Sequence, residues 1–521
     1  MASSRKIPSH LIIAVICIPI FIGALDLTVV SAVLPHVIYD LEIPMQTGWD
    51  DAAWMVSGYL LAYAIAMTFM GKISDILGRR WVFLVSLTIF GFGSYLVAVA
   101  DQYPTRFILR IFYLLSSSRP DVSNITLWLL IAARMIQAFG AGAMVPVGMA
   151  LAGDLYSPQQ RAKALGIIAA VDTSGWVVGH LYGGIIARYF DWRFIFWLNL
   201  PVCAVTFLLI YFLLSKIPPS THTGRMDWIG SLLVSLFLIC LSVGLGSTSD
   251  TTGISIGSQN TLPQFEIPYL IASVLFLFLL LLQQAKTKDS LIPLKLFTNK
   301  NFTSANLANF CLGVSLFIAI ANVPLYINTL IADNLQQGAW DSGWLLSGLT
   351  VPMALASIPG GWLTSKTNYR VPALGGILLA IFGFSLMSTW NMKTPYALMI
   401  PHLMICGIGL GLTMAPVSTA VLNATPGAYR GIASSLLIIF RLVGMMVGVS
   451  SLATYGLQRA NFLSIKLLTN PEDINEVAKV AVYVAEKVVS ETFLIAAAVC
   501  ILAIIPVLFL TKKPNEGDEY V

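Results

Sequence analysis

Apolar residues recur along this chain in runs of about twenty, set apart by short polar stretches. A helix of that length crosses the ~30 Å hydrocarbon core of a bilayer. Fourteen such runs lie near residues 10–34, 52–70, 81–100, 126–148, 163–187, 193–214, 227–247, 266–285, 303–326, 341–363, 371–390, 396–420, 431–455 and 490–511. The pattern predicts an all-α polytopic membrane protein. Two stretches break the rhythm. Residues 104–116 contain Arg106, Phe107, Arg110 and Ile111 in a segment too short to cross, which predicts a helix lying on the outer leaflet within the 101–125 connection. Val477, Val480, Val484 and Val488 stand at helical spacing and predict a second amphipathic external helix within 458–489; two ordered loops are the alternative reading of these segments.

Composition agrees with that reading and narrows it. Only 11% of the 521 residues are charged and 57% are hydrophobic, against about 25% and 45–50% in soluble domains. A soluble enzyme, a nucleic-acid binder and a disordered chain are excluded. The net charge of +5 resides in the loops. With the N-terminus inside, eighteen Lys and Arg fall on the inner side, ten on the outer and two within spans, a bias that places both termini in the cytoplasm. The short polar N-terminus with Arg5 and Lys6 reads as the lead into a first span, not as a cleaved signal. The six cysteines all sit in apolar runs without a CxxC pair, so neither a disulfide framework nor a metal site is expected.

Four charges fall inside spans: Asp26, Arg134, Asp172 and Arg441. Each costs about 2.5–3.5 kcal/mol at the bilayer centre when unpaired. Counting 1.5 Å per residue from the inner face puts them at depths of about 22, 18, 14 and 17 Å respectively. Each acid therefore has an arginine within about one turn in depth. Buried pairs stabilise poorly compared with apolar packing, which favours carboxylates that load and release protons over pairs that only fix register. Asp26 is the leading proton carrier in this reading, with Arg134 at its depth, and Arg441 is the switching partner of Asp172.

Between spans two and three the chain reads Gly71-Lys72-Ile73-Ser74-Asp75-Ile76-Leu77-Gly78-Arg79-Arg80. Glycines permit a tight turn, and an acid beside a helix end and two arginines can form a breakable clasp. This string resembles the signature loop of the major facilitator superfamily. Leu25-Asp26-Leu27-Thr28 with Leu34-Pro35, Arg134-Met135-Ile136-Gln137-Ala138, Asp191-Trp192-Arg193 to Asn199-Leu200-Pro201, and Gly224-Arg225-Met226-Asp227-Trp228-Ile229-Gly230 are similar to motifs of its fourteen-span drug:proton antiporters. Ala138 stands where that family usually has glycine. Gly431-Ile432-Ala433-Ser434-Ser435, Arg441 to Val449 and Gly360-Gly361-Trp362-Leu363 resemble the mycobacterial branch associated with triacylglyceride export and multidrug efflux.

The fifth-span motif departs from the family, with Gly179-His180-Leu181-Tyr182-Gly183-Gly184 carrying His180 in place of proline. The family's kink is in doubt there, and a neutral packed histidine is expected ahead of the alternative, a titrating one. Gly175, Gly179 and Gly183 keep a small-residue face for close helix packing. The second-half counterpart of the signature loop, Gly361 to Arg370, has lost its aspartate.

The resemblance implies a major facilitator fold of fourteen transmembrane helices arranged 6+2+6. The expected parts are an N-terminal half over 1–215, a two-helix insertion over 216–300, and a C-terminal half over 301–521 that holds the external segment 458–489. It further implies proton-coupled export of lipophilic or amphipathic compounds from the cell membrane, with triacylglyceride-like lipid as the alternative cargo. A polar-nutrient symporter is a second alternative, disfavoured by the scarcity of polar residues to line its cavity. Trp54, Tyr59, Tyr63 and Gln137 are candidate cavity residues. No nucleophile–base spacing suggests an enzyme. No nucleotide loop or cofactor motif is seen, so the proton gradient is the expected energy source. The expected partners are the bilayer and lipophilic molecules or lipids, with no nucleic acid. A monomer is expected, and a periplasmic lipid-receiving lipoprotein enters by analogy alone. The connection between spans eleven and twelve (391–395) is shorter than the lipid branch would lead one to expect.

Overall fold

The computed structural model describes residues 9–41, 49–102, 105–107, 109–111, 122–215, 225–245, 266–287, 289–331, 335–468 and 473–511. The long elements are α1 (Ser9–Asp40), α2 (Trp49–Leu77), α3 (Arg79–Ala98), α4 (Val122–Ala141), α5 (Met144–Leu155), α6 (Pro158–Tyr189), α7 (Phe194–Leu214), α8 (Trp228–Gly244) and α9 (Ile267–Lys286). They continue with α10 (Lys300–Tyr326), α11 (Leu335–Lys366), α12 (Arg370–Met387), α13 (Tyr396–Asn423), α14 (Arg430–Leu467) and α15 (Ile474–Leu508). Among the described residues, twelve helical segments are long and apolar enough to cross a membrane. α4 and α5 form one of them, interrupted near Gly142, where a side chain would strike the Tyr63 carbonyl of α2 at 2.5 Å. The fourteen apolar runs all lie on helices. The two outside the twelve are α6, diluted by small and polar residues, and α8, which has only 17 residues.

Helices α1–α7 pack chiefly on one another, as do α10–α15, while α8 pairs with α9 and leans on α2. The two groups meet along α2–α14 and α6–α11. α9 turns most of its apolar surface outward, including Ile271, Val274 and Phe278, as a helix facing hydrocarbon does.

The external segment 458–489 does not form a separate helix lying on the surface. α14 runs unbroken for 38 residues and α15 for 35, about 57 and 52 Å at 1.5 Å per residue, well beyond the ~30 Å core. The two spans extend past the bundle as a pair. Val480, Val484 and Val488 pack on Ala460 and Leu463 of α14, so the helical stripe covers a neighbouring helix instead of a leaflet. Of the other predicted surface helix, residues 105–107 and 109–111 are helical with Phe107 and Ile111 exposed. The remainder of 104–116 lies outside the described residues.

Candidate functional site

The four charges that the sequence places in apolar runs form two ion pairs of different placement. Arg134 of α4 bonds the Asp26 carboxylate through Nη1 and the Asp26 carbonyl through Nη2 at 3.1 Å. Gln137 Nε2 donates to Asp26 Oδ1 at 3.1 Å and to Ser94 Oγ at 2.7 Å, and Asn199 Nδ2 donates to the same carboxylate at 3.3 Å. The Tyr59 ring covers the guanidinium at 4.1 Å, with Phe196 on a second side at 5.6 Å. Both partners are 0% exposed. Every member of this network belongs to the α1–α7 group, so a rigid movement between the two groups leaves it intact.

Tyr59 and Gln137, expected to line a cavity, are enclosed in this network. Trp54 is partly buried against an apolar cluster that includes Val33, Met55, Leu130 and Phe196. Tyr63 is buried beside Tyr59, with ring centroids 6.1 Å apart, and lies within electrostatic range of the second pair. A pocketed arginine attracts aromatic faces, and the sequence offers no sign of which tyrosine turns inward.

The second pair bridges the groups. Arg441 Nη2 of α14 donates to Asp172 Oδ2 of α6 at 3.2 Å, with the two side chains 14% and 7% exposed. The Trp176 ring lies 5.7 Å from the guanidinium. Arg441 Nε is buried without a partner, so its solvation rests heavily on one carboxylate.

The signature loop closes the face on which α2 meets α3. Gly78 takes φ 90°, a left-handed conformation open to glycine at little cost. Asp75 then accepts from the Gly431 and Ile432 amides at 2.9 and 3.2 Å, capping the N-terminus of α14, where a negative charge is favoured. Arg79 pairs with Asp75 at 2.6 Å and with Asp154 at 3.3 Å, and Arg430 bonds the other Asp154 oxygen at 2.9 Å. Gly71 is needed here because a side chain on it would strike the Gly431 carbonyl at 2.7 Å. Arg80 takes no part; it bonds the Tyr211 carbonyl at 3.0 Å and lies over the Tyr211 ring. Asp154, Arg430, Ser94 and Asn199 were not singled out from sequence. For Asn199 the signal was its place in the Asp191–Pro201 motif, and for Asp154 and Arg430 their position at span ends.

A second seal joins α6 and α11. Ser357 Oγ donates to the Gly166 carbonyl at 3.0 Å and Gly361 abuts Ala162, while Arg161 ties α6 to the end of α13 by bonding Asn423. On the other side of α6, a side chain at Gly175 would meet the Phe21 carbonyl of α1 at 2.7 Å, and one at Gly179 the Leu25 carbonyl at 2.5 Å. Glycine here lets two helices approach backbone to backbone. α6 continues through His180, Gly183 and Gly184 without a break; the His180 side chain lies outside the described residues.

The Asp227 motif is an anchor. Asp227 caps α8 through the Gly230 amide at 2.9 Å and accepts from Gln283, Gln284 and the Leu291 amide at 2.9, 2.8 and 3.1 Å. Burial is the largest single influence and pushes its carboxyl up, but the four hydrogen bonds together outweigh it and hold the group below the usual carboxylate range. The segment after α9 that it fixes reaches the loop face, where Lys72 Nζ donates to the Ser290 carbonyl at 3.4 Å. No cluster of side chains suited to a metal occurs among the described residues.

The sequence pattern that defines the Major Facilitator Superfamily matches residues 16–449 and, in a second match, 307–519. A probable triacylglyceride transporter of Mycobacterium leprae is 28% identical over 96% of each chain. A triacylglyceride transporter of Mycobacterium tuberculosis (strain H37Rv) is 29% identical over 96% of this chain and 94% of its own. Among solved structures, the proton:xylose symporter XylE aligns over 95% of this chain and 94% of its own with TM-score 0.60 at 14% identity. A human organic anion transporter aligns over 96% of this chain and all of its own with TM-score 0.58 at 14% identity. At that identity the solved structures speak for the fold alone.

Proposed function

The chain belongs to the major facilitator superfamily, a multi-pass membrane transporter and not an enzyme, and from that premise we propose that it exports a neutral lipid of the triacylglyceride class, driven by protons. The observation that carries the mechanism is the Asp172–Arg441 pair, the intramembrane ion pair that spans the two helical groups. A carboxylate beside arginine is held ionised, and the same carboxylate desolvated without that partner favours its proton. Protonating Asp172 removes the attraction across the groups, while ionising it restores the closed arrangement. A proton taken up and released at this position is thereby tied to alternating access. The Asp26–Arg134 network, sealed within one group, serves in this reading to fix α1 against α4 and α7, which leaves Asp172 as the coupling carboxylate. The Asp75–α14 cap and the α6–α11 seal are the gate on the loop face.

The cargo rests on the relatives, whose names specify triacylglyceride, and on the low share of charged residues, 11% of the chain. Drug efflux, the broader expectation from sequence, has less support than the lipid. We further propose fourteen spans in a 6+2+6 arrangement over 1–215, 216–300 and 301–521. α6 and α8 would complete the fourteen, with the loop face and both termini cytoplasmic in the cell membrane and the α14–α15 extensions outside. The test is transport in proteoliposomes under an imposed pH gradient, comparing radiolabelled trioleoylglycerol with a cationic dye. Gradient-dependent movement of the lipid alone supports the reading; movement of the dye alone overturns the cargo, and insensitivity to the gradient overturns the coupling.

A further inference from the structure

Beyond the two ion pairs and the gate, the structure contains a cavity on the flank of α14. It is lined by Val447, Ser450, Ser451, Thr454, Tyr455 and Gln458 of α14 and by Leu245 at the end of α8. The α14 residues advance by three, one, three, one and three positions, which places them on a single helix face. Counting from Arg430 at 1.5 Å per residue, Val447 stands about 26 Å and Gln458 about 42 Å along the helix. α8 is about 26 Å long by the same measure, so Leu245 meets α14 at that level. With the loop face inside, the cavity spans the outer boundary of the hydrocarbon core, where lipid esters and glycerol lie.

Its chemistry is selective. The lining carries hydroxyls and one carboxamide but no charge. The nearby Arg459 would attract phosphate, yet both its Nε and Nη2 are committed to Glu491 at 2.8 and 2.9 Å, and the Tyr455 hydroxyl donates to the same carboxylate at 2.7 Å. That cation is paired with a carboxylate, and its Nε and Nη2 are engaged there. The Thr454 hydroxyl, in contrast, is shielded from solvent and has no hydrogen-bond partner, an arrangement that a buried polar group adopts at a cost unless something bonds it. An ester carbonyl supplies the missing acceptor without bringing a charge into a region of low dielectric.

We propose that this cavity is a lateral docking site for the glycerol-ester region of a neutral acylglycerol at the outer-leaflet level. The proposal rests on the lipid-export reading for its cargo class, while the site itself stands on the cavity and its uncharged lining. Leu245 makes the insertion helix α8 one wall, which gives the extra helix pair a part in cargo handling that the two six-helix groups alone would lack.

The test uses the full chain in nanodiscs with a trioleoylglycerol analogue that bears a diazirine beside one ester carbonyl. A phosphatidylglycerol analogue with the same group serves as comparison, and labelled peptides are mapped by mass spectrometry. The neutral analogue should label residues 447–458, and the phosphatidylglycerol analogue should do so several-fold less. Thr454→Val keeps the shape and removes the hydroxyl, and should lower the labelling about fivefold, the weight of one neutral hydrogen bond. Ser451→Leu combined with Thr454→Leu should abolish it, with size-exclusion profiles confirming folded protein. Equal labelling by both lipids, or labelling unchanged in both variants, overturns the site. Labelling at 447–458 in a protein that moves no lipid overturns the export reading and leaves the site standing. Export without labelling overturns the site alone.

Discussion

Replacing Asp172 by Asn removes one charge from the pair that joins α6 to α14 while keeping the size and hydrogen-bonding capacity of the side chain. At the observed 3.2 Å separation and an effective dielectric of about 20, the gross attraction is ~5 kcal/mol. Desolvation of two largely buried groups offsets much of it, and a net of roughly 2 kcal/mol remains for holding the groups together. That is a ~30-fold change in the ratio of closed to open arrangements. Asn carries no exchangeable charge, so the link between proton binding and movement is lost as well. In proteoliposomes, Asp172→Asn should show no accumulation of trioleoylglycerol above the level reached without a pH gradient, whereas gradient-free exchange should persist within about threefold of wild type. Gradient-driven accumulation within twofold of wild type would refute the coupling assignment and leave the pair a structural tie.

Asp26→Asn should behave differently, because it strands Arg134 in a fully enclosed site; a loss of about 3–5 kcal/mol should appear as a lowered melting temperature in detergent, and an unchanged one would argue against the tight network. Asp75→Ala removes two amide bonds from the start of α14 and the partner of Arg79, and should raise the reactivity of a cysteine placed on the loop face by several-fold while lowering it on the opposite face. Gly431→Ala should act in the same direction, since its methyl would meet Arg79 Nη1 and Asp75 Oδ1 at 2.7 Å. Asp227 provides a pH test: its folded carboxyl titrates below its unfolded value of about 4, so its stabilising contribution is complete above that value and is lost as pH falls through the lower folded one. Hydrogen exchange in α8 and α9 should accelerate below about pH 4 in wild type, and Asp227→Asn should exchange faster at neutral pH with that acid dependence flattened.

The sequence by itself determined the membrane class, the helical location of all fourteen apolar runs, the signature loop with its glycine turn, and the helices on which Asp26, Arg134, Asp172 and Arg441 stand. These are local properties: span length, loop charge and position along a helix are settled within a few tens of residues by hydrophobicity and helical rise. Tertiary structure decided what those residues touch. Asp26 and Arg134 are 108 positions apart and close within one group, whereas Asp172 and Arg441, 269 positions apart, close between two, a distinction that position along a helix does not contain. The same holds for Tyr59 and Gln137, which turned into the buried network, and for Arg80, which turned to Tyr211 while Arg79 took the gate. Val480, Val484 and Val488 showed a helical stripe in sequence, and only the neighbouring α14 determined that it covers protein and not lipid. A periodic pattern fixes which face of a helix is apolar; what covers that face depends on where the rest of the chain comes to lie.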